Sequence, residues 1–290
     1  MDLRVLEYFL AVSREKSFSA AAEVIHISQP TLSRQIADLE KHLGKQLLIR
    51  NPKNLQLTDE GRLLKERAEE ILSLVAKTEN EIRTDQAEMT ADLYVGAGET
   101  PGVHLITLAA ANLRKKFPKI RLHISSGDSA DLNWQLDHGL IDLALLFSDP
   151  DPEQYICVNL PHQDVQGVYM RKDDPLAEKE KIRPVPDLYG KPLIVNRGAG
   201  NELLPGIPIS QFEISGTYSL LYNASLMAED GIGYVIGLEG IIHTEGTDLC
   251  FRPFDTDIKA QLKLVRRKQQ ILTRPLELYL EEINQLIHAE

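Results

Sequence analysis

The segment from Phe18 to Glu40 constrains this chain more than any other. It carries three successive alanines at 20–22, breaks at His26-Ile27 and restarts at Ser28-Gln-Pro30. Alanine favours helix, and its small side chain lets a second helix approach closely. Ser19 is the expected N-cap of a first helix running to about Ile25. Ser28 is the expected cap of a second, with Pro30 in its first turn, where a missing N–H costs nothing. Leu32, Ile36, Leu39 and Leu43 then recur at spacings of four, three and four, which makes one apolar stripe. At about 100° per residue, Pro30, Arg34, Ala37 and Lys41 face the other way, flanked by Thr31, Ser33 and Asp38. The expected unit is a helix-turn-helix. A reading helix offers its N-terminal residues, here Gln29 onward, to base edges. Gln pairs bidentately with adenine and Arg with guanine, and Ser or Thr reaches either bases or phosphates. An ordinary amphipathic helix pair would share this pattern, so the next segment matters. Leu47-Leu-Ile-Arg50 and Leu55-Gln-Leu57 read as short strands around Asn51-Pro-Lys-Asn54. That is a hairpin with a basic tip, a wing whose Arg50 and Lys53 would meet phosphates or the minor groove. A solvated turn is the competing reading of Lys53.

Charge agrees once it is split along the chain. The net charge of the 290 residues is −11, yet residues 1–58 carry eight Lys/Arg and six Asp/Glu. Any phosphate-facing charge is therefore local. So mild an excess suits a protein that doubles its contacts by pairing. Thr58 is an expected N-cap, with Asp59 and Glu60 favourable in the first turn. Leu64, Ala68, Ile71, Val75, Thr78 and Ile82 follow at heptad spacing. They form a narrow stripe between charged positions, read here as a subunit seam on a helix reaching about Glu88. Packing on the chain's own core is the alternative.

From Ala91 strands alternate with helices, which predicts two α/β lobes with mostly parallel sheets. The expected limits are residues 1–58 for the winged helix-turn-helix, 59–88 for the linker helix and 91–290 for the two-lobed domain. Within the last, lobe I covers about 91–160 and 266–290, and lobe II about 161–265. Ligands of such folds bind near helix N-termini beyond the strand ends. Cys157 and Cys250 fit a reducing compartment and read as two buried thiols. Nothing resembles a membrane span or a signal peptide, so the expected location is the cytoplasm.

Residues 1–60 resemble the DNA-binding domain of LysR-type transcriptional regulators. The matching stretches are Leu3, Leu6 and Phe9-Leu-Ala-Val12, Ser17-Phe-Ser-Ala-Ala-Ala22, Ser28-Gln-Pro-Thr-Leu-Ser-Arg-Gln-Ile36, Leu39-Glu40, Leu43-Gly44 and Leu57-Thr-Asp-Glu-Gly61. The resemblance implies DNA contacts at Gln29, Pro30, Thr31, Ser33 and Arg34, with Arg50 on the wing. It also implies dimers joined by the linker helix, often tetramers, with promoter DNA and RNA polymerase as partners. The C-terminal part is similar to the effector domain of the same family, which has the type II periplasmic-binding-protein fold. That similarity rests on Asp92-Leu-Tyr-Val-Gly-Ala-Gly98, Phe117-Pro118 with Ile120, Gly139-Leu-Ile-Asp-Leu-Ala144 and Ala228-Glu-Asp-Gly-Ile-Gly233. Where the family usually shows Leu-Pro after the last glycine motif, this chain has Ile236-Gly237.

The implied pocket lies between the lobes and takes in Glu99, Thr100 and Pro101, then Ser126, Asp128 and Ser129, and across the cleft Asn196, Arg197 and Gly198. Thr100 is expected to hold a ligand oxygen, and Arg197 to fork onto a carboxylate. The family often has a small hydroxyl residue near Glu99. A carboxylate beside a helix N-terminus takes the anion site itself. The expected effector therefore carries an amine or several hydroxyls rather than a simple carboxylate. Glu99 turned outward, or neutralised by Arg197, is the competing reading.

No enzyme is expected. The glycine loop Val95 to Gly102 has Pro101 where a dinucleotide fingerprint needs glycine, and no Walker, zinc-protease, nucleophile-elbow or Cys-x-x-Cys motif is present. His104, His123 and His138 share no metal-ligand spacing. No cofactor or metal is called for beyond the small-molecule effector. The rival reading is a solute-binding protein or enzyme of similar fold whose N-terminal domain serves only assembly.

Overall fold

The structure is a computed structural model that describes residues 1–51, 54–83, 90–148, 150–198, 200–256 and 260–288, leaving aside the side chains at 50, 51, 54, 80, 81, 83 and 162. The chain forms two compact units, Met1–Arg83 and Thr84–Glu290.

The first unit begins with α1 (Leu3–Glu15), α2 (Phe18–Val24) and α3 (Gln29–Leu43). The cap of α2 is Ser17, whose hydroxyl accepts from the Ala20 N–H at 3.4 Å, not the expected Ser19. Ser19 fails because its own backbone is already helical. Ala21 and Ala22 are buried, as close approach requires. The turn is tight enough to hold His26 at φ 55, a left-handed backbone for a side-chain-bearing residue. Ser28 caps α3 as expected, accepting from the Thr31 N–H at 3.4 Å. Leu32, Ile36 and Leu39 are buried with Leu6, Phe9 and Val12 of α1, while Leu43 stays exposed.

The wing is the antiparallel pair β1 (Leu48–Asn51) and β2 (Asn54–Leu57), with Leu48 opposite Leu57. Helix α4 (Asp59–Arg83) follows, and Thr58 caps it by accepting from the Gly61 N–H at 2.9 Å. The expected extension to Glu88 lies outside the described residues. α4 joins the first unit rather than standing apart. Ala68, expected on the subunit seam, is fully buried in its own unit's core, with Leu64, Ile71 and Leu72 packed against that core. Beyond that contact Leu74 is 42% and Ile82 80% exposed. The own-core reading therefore takes the near half of the stripe, while in the far half Val75 is half-buried and Thr78 and Ile82 are exposed.

The second unit contains two five-stranded sheets. Lobe I contributes β3 (Ala91–Ala97), α5 (Val103–Lys116), β4 (Ile120–Ser126), α6 (Ser129–Asp137), β5 (Leu143–Leu146) and β6 (Tyr155–Asp164). Lobe II follows with β7 (Gln166–Arg171), a 3₁₀ turn at Pro175–Glu178, α7 (Pro184–Leu188), β8 (Pro192–Asn196), the small ribbon β9 (Glu202–Leu204) and β10 (Ile207–Pro208), β11 (Glu213–Tyr218), α8 (Leu221–Glu229), β12 (Tyr234–Leu238) and β13 (Leu249–Pro253). The chain then returns through β14 (Ala260–Arg267) and α9 (Arg274–Ile287). The sheet orders are β4-β3-β5-β14-β6 and β11-β8-β12-β7-β13.

Each sheet joins its first three strands in parallel and its last two pairs antiparallel, so neither is mostly parallel as expected. The expected lobe limits also shift. β14 was placed in lobe II, but it pairs with β5 and β6, for example Val265 with Ala144 and with Cys157. Lobe I is thus 91–164 with 260–288, and lobe II is 165–256. α9 closes lobe I, where buried Tyr279 donates to the Ile106 carbonyl at 2.8 Å. Of the two thiols expected to be buried, Cys250 is and Cys157 is exposed on β6.

Lobe II carries one acid-sensitive joint. Asp187, nine-tenths buried at the end of α7, accepts from Lys179 at 2.7 Å, from the Arg183 main chain at 2.9 Å and from its guanidinium at 3.1 Å. Burial alone would raise its pKa, but these donors prevail and hold it at about 2, below the usual 3.8. A depressed carboxylate stabilises the fold above the unfolded pKa, and that stabilisation is lost as pH falls through the folded one. The melting temperature should therefore drop more steeply between pH 4 and pH 2 in the wild type than in Asp187→Asn, as thermal scans at half-unit pH steps would record.

Candidate functional site

On α3 the buried stripe fixes which residues are offered outward. Gln29, Pro30, Thr31, Arg34, Ala37 and Lys41 are exposed, and Ser33 is half-buried at the flank. The Thr31 hydroxyl lies 2.7 Å from that of Ser28, so it is shared with the cap. The Arg34 side chain is 84% exposed, with its Nε 3.9 Å from an Asp38 oxygen. An exposed pair at that distance is weak and leaves the guanidinium free to turn. Arg50 is paired through its backbone with Leu55 on the wing, while its side chain, like the whole of Lys53, lies outside the described residues.

The second unit holds a cleft of about 820 Å³ between its lobes. Of the expected residues, Glu99, Ser126, Asp128, Ser129, Asn196, Arg197 and Gly198 line it. Thr100 and Pro101 do not. Thr100 is buried, its hydroxyl donating to the Asp164 carboxylate at 2.7 Å and accepting from the Gly102 N–H at 3.0 Å. It holds the loop to the end of β6, with its one proton spent on Asp164 and its oxygen buried away from the cleft.

Glu99 reaches across the cleft. Its carboxylate accepts from the Leu221 N–H, the first residue of α8, at 2.5 Å. It is neither turned outward nor paired with Arg197. The guanidinium of Arg197 instead lies 4.0 Å from the Asp128 carboxylate of lobe I. Asp128 is itself committed to α6, capping the N–H groups of Ala130 and Asp131 at 3.0 Å each. Asn196 accepts from the Gly198 N–H at 2.7 Å and so shapes the turn that carries Arg197. A Cβ on Gly198 would sit 2.9 Å from that of Asp128, so the lobes touch at this rim.

Several lining residues were not expected, among them Ser148, Gln166, Tyr218 and Ser219. Tyr218 ends β11. Its hydroxyl donates to the Ile236 carbonyl at 2.7 Å, and burial first, then the charge of Glu99, pushes its pKa up. The unusual Gly237 also has a physical reason, since a Cβ there would meet the Leu221 side chain at 2.9 Å. Ser219 precedes the N-cap of α8, so a third helix start meets the cleft beside those of α5 and α6. Among the described residues no group of three metal-ligating side chains exists.

Two family models match the chain. Residues 3–62 match the bacterial regulatory helix-turn-helix protein model of the lysR family, and residues 86–287 match the LysR substrate binding domain. The chain belongs to the LysR family. A LysR-family relative from Pectobacterium carotovorum subsp. carotovorum, described as a hydrogen peroxide-inducible genes activator, is 34% identical over 197 residues, 67% of this chain and 64% of the relative. A probable cat1 operon transcriptional activator from Acinetobacter lwoffii is 32% identical over 198 residues, with the same two shares, 67% and 64%. This chain thus aligns with just under two thirds of these relatives' length. Full-length CbnR complexed with its target DNA shares the fold at a TM-score of 0.75 and 20% identity, covering 99% of this chain and all of that one. The two relatives named here are described as a genes activator and a probable transcriptional activator. No helix among the described residues is long and apolar enough to cross a membrane.

Proposed function

We propose that this LysR-family chain is a DNA-binding transcriptional regulator that reads a two-fold promoter site as a dimer or higher oligomer and answers to a small molecule in the lobe cleft. The observation that carries the DNA reading is the exposed N-terminal face of α3, where Gln29, Thr31 and Arg34 stand clear above a buried stripe. Arg50 and Lys53 of the wing are proposed backbone contacts, and RNA polymerase is a proposed protein partner. Cytoplasmic location follows from such a role. The far half of the α4 stripe, where Val75 is half-buried and Thr78 and Ile82 are exposed, supports pairing there. Two copies then present two reading helices to two half-sites.

Ligand control follows from the cleft. A molecule with different affinities for open and closed lobes shifts that equilibrium and, through it, the DNA-bound state. Thr100 and Pro101 shape the loop under this site, and Asn196, Arg197 and Gly198 its opposite lip. The peroxide signal named for one relative does not suit the two cysteines of this chain. They lie on the sheets of different lobes, and burial pushes the Cys250 thiol up, away from the reactive thiolate.

The test is a gel shift with duplex DNA from upstream of the chain's own gene against a scrambled duplex at fixed salt. A specific regulator should prefer the former by about 10³-fold or more. Equal affinity for the two would overturn the reading.

A further inference from the structure

The geometry points to Glu99 as an internal occupant of the cleft's anion seat, one that latches the two lobes and keeps simple carboxylates out. This inference rests on the cleft being the effector site and adds the class of molecule it accepts. Three observations meet there. First, the Glu99 carboxylate, carried by lobe I, accepts from the Leu221 N–H at the start of α8 in lobe II. α8 has no side-chain cap of its own, because its N-cap is Leu220. A helix start of this kind attracts a negative group, and Glu99 already supplies it.

Second, the charged residues of the lining are mostly acidic. Among the described residues Asp128, Asp131 and Glu202 join Glu99, against Arg197 as the lone guanidinium. Arg197 faces Asp128 rather than open solvent alone. A free carboxylate entering the cleft would find the helix seat filled, with Arg197, 68% exposed and 4.0 Å from Asp128, only loosely held. Third, the opposing lips meet at the same rim, where Gly198 leaves no room for a Cβ beside Asp128. The cleft is therefore tied across by its own side chains.

It follows that the effector is neutral or cationic, bearing amine or hydroxyl groups that use Asp128, Glu202 and the serines. An acidic molecule takes the helix seat only by displacing Glu99 from Leu221, and with it the latch.

Amide hydrogen exchange and calorimetry on the full chain test this together. In Glu99→Ala, exchange at the Leu221 amide should rise at least ten-fold. Sodium succinate or sodium benzoate should then bind at least ten-fold more tightly than to the wild type. Glu99→Gln keeps an acceptor oxygen but no charge. It should hold Leu221 near wild-type protection and gain a smaller, few-fold carboxylate affinity, which keeps the test open should the alanine variant fold poorly. Leu221 exchange unmoved by Glu99→Ala overturns the latch whatever the cleft binds. Carboxylates that bind wild type and variants alike overturn the exclusion. A cleft that takes no effector of any class would overturn the functional reading instead, and would still leave the ten-fold change at Leu221.

Discussion

Arg34→Ala is expected to weaken binding to upstream DNA by about 1–3 kcal/mol per half-site, the usual worth of a bidentate base contact. That is roughly 5- to 150-fold for one half-site, and the effect compounds when two are read. The fold should be unaffected. Arg34 is 84% exposed, and its contact with Asp38 at 3.9 Å is loose, so stability should change by less than about 0.5 kcal/mol. Base reading and phosphate contact separate in one experiment. If Arg34 reads a base, the loss falls on upstream DNA and spares a scrambled duplex. If it only neutralises a phosphate, both weaken alike and the salt slope drops by about one. Equal losses on both duplexes would move Arg34 from the reading set to the backbone set. Asp38 sharpens the comparison, because its carboxylate sits one turn from Arg34 on the DNA-facing side. Asp38→Asn should strengthen binding to either duplex slightly, by removing a charge that repels phosphate.

The reading helix was legible in the sequence because it is local. Ser28, Pro30 and the stripe at 32, 36 and 39 each lie within four residues of the next, and a 3.6-residue period settles which face is buried. What escaped depends on partners far along the chain. Thr100 looks like a free hydroxyl until Asp164 arrives beside it from the end of β6. Glu99 looks like a neighbour of α5 until the cleft brings α8 to it from 122 residues away. β14 reads as one more lobe II strand, and only its pairing with β5 and β6 assigns it to lobe I. Ala68 shows the same limit on a helix. The heptad pattern says that a stripe is covered, but not whether a second subunit or α1 covers it, and here α1 takes the near half. The family was more legible than the exact pocket, since the family follows from the local helix-turn-helix and the pocket from the meeting of two lobes.

Gly61→Ala is expected to destabilise the first unit by about 3 kcal/mol, against what helix propensity predicts. Propensity alone would favour the alanine by about 1 kcal/mol in a helix interior. Packing reverses the sign. A Cβ on Gly61 would lie 2.1 Å from the Leu47 carbonyl oxygen and 3.1 Å from its carbon, both backbone atoms that cannot turn aside. That carbonyl accepts from the Thr58 N–H at 3.0 Å, and the Thr58 hydroxyl donates to the Gln46 carbonyl at 2.7 Å while capping α4. On the other side of the same turn, Glu40 of α3 accepts from the N–H groups of Leu47 and Leu48 at 2.8 and 3.1 Å. The end of the reading helix, the start of the wing and the start of the linker helix are thus joined at one point. Overpacking it costs about 1–3 kcal/mol, and each hydrogen bond pulled apart adds about 1 more. For a unit of this size that corresponds to a melting temperature lower by about 10–20 °C, which circular dichroism would follow. DNA affinity should fall as well, because α4 can no longer hold the wing against α3. A variant that melts within about 2 °C of the wild type would show that α4 slides along the wing without loss, and that this joint does not set the geometry of the reader.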